Sequence, residues 1–170
     1  MVYGTYDSPV GKIVLRFDGQ CLSGLWFAGG KYAPEVENYD MSCRNTFADT
    51  YRWLDAYFDG EVPGFLPELS LSGTDFQLMV WGELLKIPYG KTETYGELAK
   101  KVAGIMGVER MSAQAVGGAV GRNPISIIVP CHRIVGTDGS LTGYAGGLDV
   151  KRRLLSLEKA HVRRFCAAFR

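Results

Sequence analysis

Residues 130–133 read Pro130-Cys131-His132-Arg133, and a thiol beside an imidazole is the pair in this sequence best suited to nucleophilic chemistry. A free thiol has a pKa near ~8.5, so only a few per cent is thiolate at neutral pH, and the thiolate is the attacking form. Histidine can take the proton directly or through a water. Lowering the thiol by ~1.5 units would correspond to roughly 2 kcal/mol of differential stabilisation. Neighbouring side chains on a straight strand point to opposite faces. Cys131 and His132 can therefore meet only if the chain turns at Pro130 or a water bridges them. An imidazole used in this way has its other nitrogen held by a carboxylate or carbonyl. Glu158, on an amphipathic stretch over residues 150–159, is the candidate. By residue type alone Cys131 could instead be a small apolar side chain filling the core. Its setting, after an apolar run, with Asn123-Pro124 upstream and a Gly-rich segment downstream, favours the reactive reading.

Other chemistry has few residues to draw on. The cysteines are Cys21, Cys43, Cys131 and Cys166, and no two are spaced as a metal knuckle or a CxxC redox pair. Free thiols in a reducing compartment are expected. The second histidine, His161, lies among Arg163, Arg164 and Arg170 and reads as a solvated residue of a basic tail over residues 161–170, with Cys166 incidental beside it. The N-terminus lacks the basic start and apolar stretch of a signal peptide, and no apolar run approaches the ~20 residues that span a bilayer. A cytoplasmic protein without membrane contact is the expectation. Net charge is +1, but its distribution is uneven. Residues 1–72 hold 5 Lys/Arg and 10 Asp/Glu, and residues 73–170 hold 14 and 8. The balances, −5 and +6, suggest that the second part meets a polyanion.

The elements that must position Cys131 can be read from period and punctuation. Lys12-Ile13-Val14-Leu15-Arg16-Phe17 reads as a strand, Asp18-Gly19 as a turn, and residues 21–27 as the antiparallel partner, ended by Gly29-Gly30. Residues 45–58 show helical spacing, with Phe47, Tyr51, Leu54 and Phe58 on one face. Residues 61–72, rich in Pro and Gly, are the best linker. Thr74 with Gln77 is a capping box that opens a helix burying Phe76, Val80, Trp81, Leu84 and Leu85. Thr94 with Glu97 opens a second, and Ser112 caps a third over residues 113–121, closed by Asn123-Pro124. The last two form a helix-turn-helix unit. The third helix is nearly bare. Gly117 and Gly118 each cost about 1 kcal/mol relative to Ala, which either close approach to a partner surface or tight core packing would offset. Ile125-Ser126-Ile127-Ile128-Val129 reads as a short buried strand that delivers Cys131.

The run Pro130-Cys131-His132-Arg133-Ile134-Val135 resembles the active-site signature of the O6-alkylguanine-DNA alkyltransferases, the methylated-DNA–protein-cysteine methyltransferases. The likeness extends to Ala115-Val116-Gly117-Gly118-Ala119, which looks like that family's DNA-binding helix, and to Asn123-Pro124, its hinge. Residues 141–151 are similar to the loop that walls its guanine pocket, and Leu154-Leu155 with Glu158 to its closing helix. The match is good from about 73 to 159. It is weaker before that, resting on the Ser8-Pro9-Val10-Gly11 turn and residues 54–60.

The resemblance implies an α+β fold. A small N-terminal β-sheet domain with a helix (1–72, ribonuclease H-like) would precede a mostly helical, winged-helix-like domain with a helix-turn-helix (73–160) and then the tail. It implies double-stranded DNA as partner, bound through the minor groove with the alkylated base flipped out at a cost of a few kcal/mol. Cys131 would take the alkyl group from O6-alkylguanine, with O4-alkylthymine a second candidate. His132 would receive the thiol proton through a water and be held by Glu158. Tyr95 would donate to the departing base, and Asn123 would staple the recognition helix to the Cys131 segment. Backbone around Val135, Tyr144, Ala145 and Gly146 would form the pocket. Tyr95, Gln114, Ala115, Gly117, Gly118, Ala119, Arg122 and Arg133 would meet DNA. The thioether product has no easy leaving route, so each molecule, a monomer, would act once without cofactor or metal. Where the family commonly carries an arginine that fills the space of the flipped base, this chain has Gln114. Three rival readings are a protein of the same architecture that recognises alkylated bases without repairing them, a cysteine hydrolase using Cys131 and His132, and a plain winged-helix regulator. The hydrolase needs an oxyanion hole of which the sequence gives no independent sign.

Overall fold

The computed structural model describes the backbone of residues 1–168 and the side chains of residues 1–164. Three strands open the chain, β1 (Val2–Ser8), β2 (Gly11–Asp18) and β3 (Cys21–Phe27), in an antiparallel meander of order β1-β2-β3. The Asp18-Gly19 turn works because Gly19 takes φ +58°, a conformation other L-residues rarely adopt. Strand β1 was not anticipated. Its inward positions are Gly4 and Tyr6, and a glycine blanks the alternation that marks a half-buried strand. Gly4 is required there, because an added Cβ would lie 2.6 Å from the Tyr51 hydroxyl.

Residues 45–58 are helical in the main but divided. A single turn, α1 (Cys43–Thr46), breaks at Phe47, and α2 (Ala48–Asp59) ends on Gly60 at φ +91°. Tyr51, Leu54 and Tyr57 bury one face of α2 against the sheet, and Phe47 stacks on Phe17 with ring centroids 3.7 Å apart. The linker is not free chain. Leu22 N–H donates to the Glu68 carbonyl and Ser70 N–H to that of Leu22, both at 2.8 Å, so the segment pairs with β3.

The second part holds α3 (Asp75–Leu84), α4 (Tyr95–Met106) and α5 (Ala113–Gly121). Both capping boxes form, and the Ser112 hydroxyl accepts from Gln114 N–H and Ala115 N–H. Val80, Trp81 and Leu84 are buried as expected, whereas Phe76 and Leu85 are only half-buried. A short parallel pair joins β4 (Glu93–Thr94) to β5 (Ile134–Val135). The apolar core runs without a break through both parts, from Ile13 and Leu25 to Val116, Ile127 and Leu154.

Two expectations about the chain after residue 120 need correction. The apolar run over residues 125–129 is not a strand. Leu25 N–H donates to the Pro124 carbonyl and Ser126 N–H to that of Leu25, after which the chain coils, with Ile127 at φ +68°. All five side chains are buried, and burial alone produces the same apolar run as a central strand. The second correction concerns the tail. Helix α6 (Leu148–Ala168) continues through residues 161–168, and His161 is docked rather than solvated. Its Nδ1 lies 3.0 Å from the Tyr89 hydroxyl, and its ring covers Gly60. Cys166 and Arg170 lie outside the residues whose side chains are described. No helix among the described residues is long and apolar enough to cross a membrane.

Candidate active site

The chain does turn at Pro130. Residues Cys131–Arg133 form one 3₁₀ turn, which takes the Cys131 and His132 side chains out of strand alternation. The turn is fixed from upstream by Asn123, buried at the end of α5. Its Nδ2 donates to the carbonyls of Val129 (2.7 Å) and Ile125 (3.3 Å), and its Oδ1 accepts from Ile125 N–H (3.0 Å). One carboxamide thus satisfies the buried Ile125 N–H and adds a second donor to two carbonyls that also accept from Cys131 N–H (2.8 Å) and Val129 N–H (3.1 Å), so it ties the coiled segment together.

His132 and Glu158 are both 0% exposed, and His132 Nε2 lies 2.7 Å from Glu158 Oε1. Burial opposes ionisation of Glu158. The hydrogen bonds from His132 and Arg133, with the charge of Arg133, nevertheless bring its carboxyl down to about 2. It also accepts from the Tyr57 hydroxyl (2.9 Å) and from Gly90 N–H (2.9 Å). An ionised carboxylate can only accept, so Nε2 carries the ring proton toward it. Burial, opposed by Glu158, holds His132 below its ordinary value, which leaves the ring neutral and Nδ1 a bare acceptor. Nδ1 is buried with no hydrogen-bond partner among the described residues.

Cys131 is 6% exposed and lines a pocket of about 260 Å³ with Tyr95, Gly117, Asn123, Ser126, Gly143, Tyr144 and Ala145, among others. Burial pushes its thiol up. The Asn123 side chain, the Lys151 ammonium and the backbone N–H groups of Cys131 and His132 pull it partly back. The expected low-pKa thiol is therefore not what the folded chain holds, because desolvation outweighs its polar neighbours. Lys151 is itself 0% exposed and lowered to about 8 by burial. Its Nζ donates to the Thr142 carbonyl at 2.9 Å, which also accepts from the Tyr95 hydroxyl at 3.1 Å. Burial raises the Tyr95 phenol, so it keeps its proton at neutral pH.

The other site residues divide by location. Tyr144 and Ala145 line the pocket with Cys131, while Gly146 packs beneath Phe27 and Val135 is buried in β5, outside the pocket lining. On α5, Gln114, Ala115, Gly118 and Arg122 are exposed, and Gly117 faces the Tyr95 ring. Two residues expected to meet DNA cannot do so. Ala119 is 3% exposed and its carbonyl accepts from the Trp81 indole at 2.9 Å, since Val116, Ala119 and Val120 form the core face of the helix. Arg133 is 7% exposed. It forks onto Glu158, donates to the Ile87 carbonyl at 2.6 Å and lies over the Tyr89 ring. It supports the carboxylate rather than a phosphate.

Sequence reasoning missed four participants. Lys151 shares with Leu154, Leu155 and Glu158 the i, i+3, i+4, i+7 stripe of α6, a spacing that could have found it. Tyr57, Lys31 and Tyr32 come from the first 72 residues, and nothing in their local sequence links them to residue 131.

The geometry can be set beside known proteins. Residues 75–160 match the family model described as 6-O-methylguanine DNA methyltransferase, DNA binding domain, and residues 1–69 match the ribonuclease-like domain of the same enzyme. The chain is 46% identical over 158 residues to a methylated-DNA–protein-cysteine methyltransferase of Methanosarcina acetivorans, spanning 93% of this chain and 98% of that one. It is 47% identical to one of Mycobacterium tuberculosis, spanning 93% and 92%. Among solved structures it is similar to Mycobacterium tuberculosis OGT in complex with DNA, with TM-score 0.82 and 44% identity over 95% of this chain and 94% of that one. An O6-methylguanine DNA methyltransferase from Methanococcus jannaschii follows at TM-score 0.64 and 26% identity, covering 91% and 92%.

Proposed function

Because the chain belongs to the O6-alkylguanine-DNA alkyltransferase family, we propose that it repairs DNA by moving the alkyl group from O6 of guanine onto its own Cys131. The observation that carries the assignment to this cysteine is the arrangement around it. Cys131 opens onto a pocket, and the adjacent imidazole has one nitrogen fixed on an ionised carboxylate and the other free to accept.

In this reading α5 lies in the minor groove of duplex DNA with Gln114, Ala115, Gly118 and Arg122 outward, and the alkylated base is everted into the pocket. The resting thiol is held neutral. Its proton passes through a bridging water to His132 Nδ1, and Glu158 stabilises the imidazolium through Nε2. The Cys131 thiolate then attacks the alkyl carbon, so that the S–C bond forms as the C–O6 bond breaks. The leaving guanine carries a negative charge, which the Tyr95 hydroxyl neutralises by donating a proton. The His132 imidazolium then gives its proton up to water and Tyr95 takes one back from water at the pocket mouth, so that in balance the thiol proton ends on the base. The Lys151 ammonium favours the thiolate and, through the Thr142 carbonyl, holds the pocket wall. A thioether has no comparable leaving group, so the protein acts once. The pocket is lined from both parts of one chain, which supports a monomer, and consumption of a reduced thiol suits the cytoplasm.

Stoichiometry tests the proposal. A duplex bearing O6-methylguanine in excess should be repaired to one lesion per protein molecule and no further, and Cys131→Ser should repair none. Continued turnover, or repair by Cys131→Ser, would exclude it. Tight binding without repair would point to recognition only.

A further inference from the structure

Part of the pocket wall lies outside residues 75–160. Lys31 and Tyr32, in the loop after β3, line the pocket together with Gly117, Val120 and Gly121 of α5. Both are exposed, so they stand at its solvent-facing mouth. The placement is anchored. Lys31 N–H donates to the Ala145 carbonyl at 3.0 Å. Gly30 sits so close that an added Cβ would lie 2.9 Å from the Phe27 carbonyl and 3.0 Å from that of Ala145. Phe27 in turn packs against Tyr144, with ring centroids 6.3 Å apart.

The Lys31 ammonium lies 5.2 Å from the Tyr32 ring centroid. Among the described residues no carboxylate is within ion-pair distance of it. The α5 residues that line the mouth, Gly117, Val120 and Gly121, carry no charge, and Arg122, exposed at the end of that helix, stands outside the lining. A nucleotide everted into this pocket leaves its flanking phosphates at the mouth, where a cation without an internal partner is the natural counter-charge. We propose that Lys31 is a DNA-contacting residue, its ammonium holding a phosphate beside the everted nucleotide, so that the N-terminal domain completes the substrate site. The inference rests on the alkyl-transfer reading.

Lys31→Met keeps the backbone bond to Ala145 and removes the charge. On a duplex containing O6-methylguanine, titrated between about 50 and 200 mM salt, the variant should bind about five-fold more weakly at the low-salt end. The slope of log K against log salt should be shallower by about 1, and Lys31→Arg should restore both. Alkyl transfer from O6-methyl-2′-deoxyguanosine, which has no phosphate, should proceed at the wild-type rate. An unchanged salt slope overturns the proposal, and so does an equal slowing on the nucleoside. If the slope changes as expected while wild type takes up no methyl from either substrate, the phosphate contact stands and the alkyl-transfer reading fails.

Discussion

Replacing Glu158 with Gln removes one charge and almost no volume at the point where Tyr57, Gly90, His132 and Arg133 all donate. The wild-type carboxyl is held at about 2 against an ordinary 4.5. That gap of about 2.5 units, at about 1.36 kcal/mol each, is roughly 3 kcal/mol of folding stability. A separate line gives the same size, because removing one partner of a buried ion pair costs about 3–5 kcal/mol. The folded value lies below the unfolded one, so the stabilisation is present above the unfolded value and disappears as pH falls through the folded one. Urea unfolding of wild type and Glu158→Gln should therefore differ by roughly 3 kcal/mol at neutral pH and by less than half of that near pH ~3. The same variant leaves His132 Nε2 without an anionic acceptor. Its alkyl-transfer rate at neutral pH should fall by on the order of 100-fold, the lower end of what positioned proton transfer contributes. A stability gap that does not vary with pH, or one under about 1 kcal/mol at neutral pH, would refute the reasoning.

Three further outcomes are expected. Asn123→Ala strands the buried Ile125 N–H and removes a second donor from the Val129 and Ile125 carbonyls, which keep Cys131 N–H and Val129 N–H. It should cost about 1–3 kcal/mol in thermal or urea unfolding and slow repair, because the segment that delivers Cys131 loses its staple. Gly118→Ala meets only the Arg122 guanidinium, at 3.9 Å. It should raise stability by about 1 kcal/mol while weakening duplex binding in an anisotropy titration, if the bare helix face serves close approach. Gln114→Arg should speed repair of duplex DNA without changing the reaction of O6-methyl-2′-deoxyguanosine, and an unchanged duplex rate would show that this position does not limit eversion.

Much of the C-terminal half was legible because its signals are local. The side-chain boxes at Thr74 and Thr94, the Ser112 cap and the Asn123-Pro124 stop mark helix ends with hydrogen bonds that span only a few residues. Glu158 could be paired with His132 because a basic ring in use needs an acceptor and the family likeness supplied one. Legibility ended where partners are distant or burial erases period. Residues 125–129 are apolar because they are enclosed, and an apolar run does not distinguish a strand from a coil held by one carboxamide. Arg133 carries the same side chain whether it meets a phosphate or a buried carboxylate, and only the fold places it against Glu158. Tyr57 and Lys31 reach the site across 75 and about 100 residues of sequence respectively. The thiol's direction of shift depends on how dry its pocket is, which no local pattern encodes.

The central claim concerns one sulfur atom among four. After a single round with a duplex bearing O6-methylguanine, proteolysis and tandem mass spectrometry should find one added methyl on the peptide containing Cys131. Cys21, Cys43 and Cys166 should remain unmodified. A methyl on any other residue, or none on the protein once the lesion has gone, would contradict it.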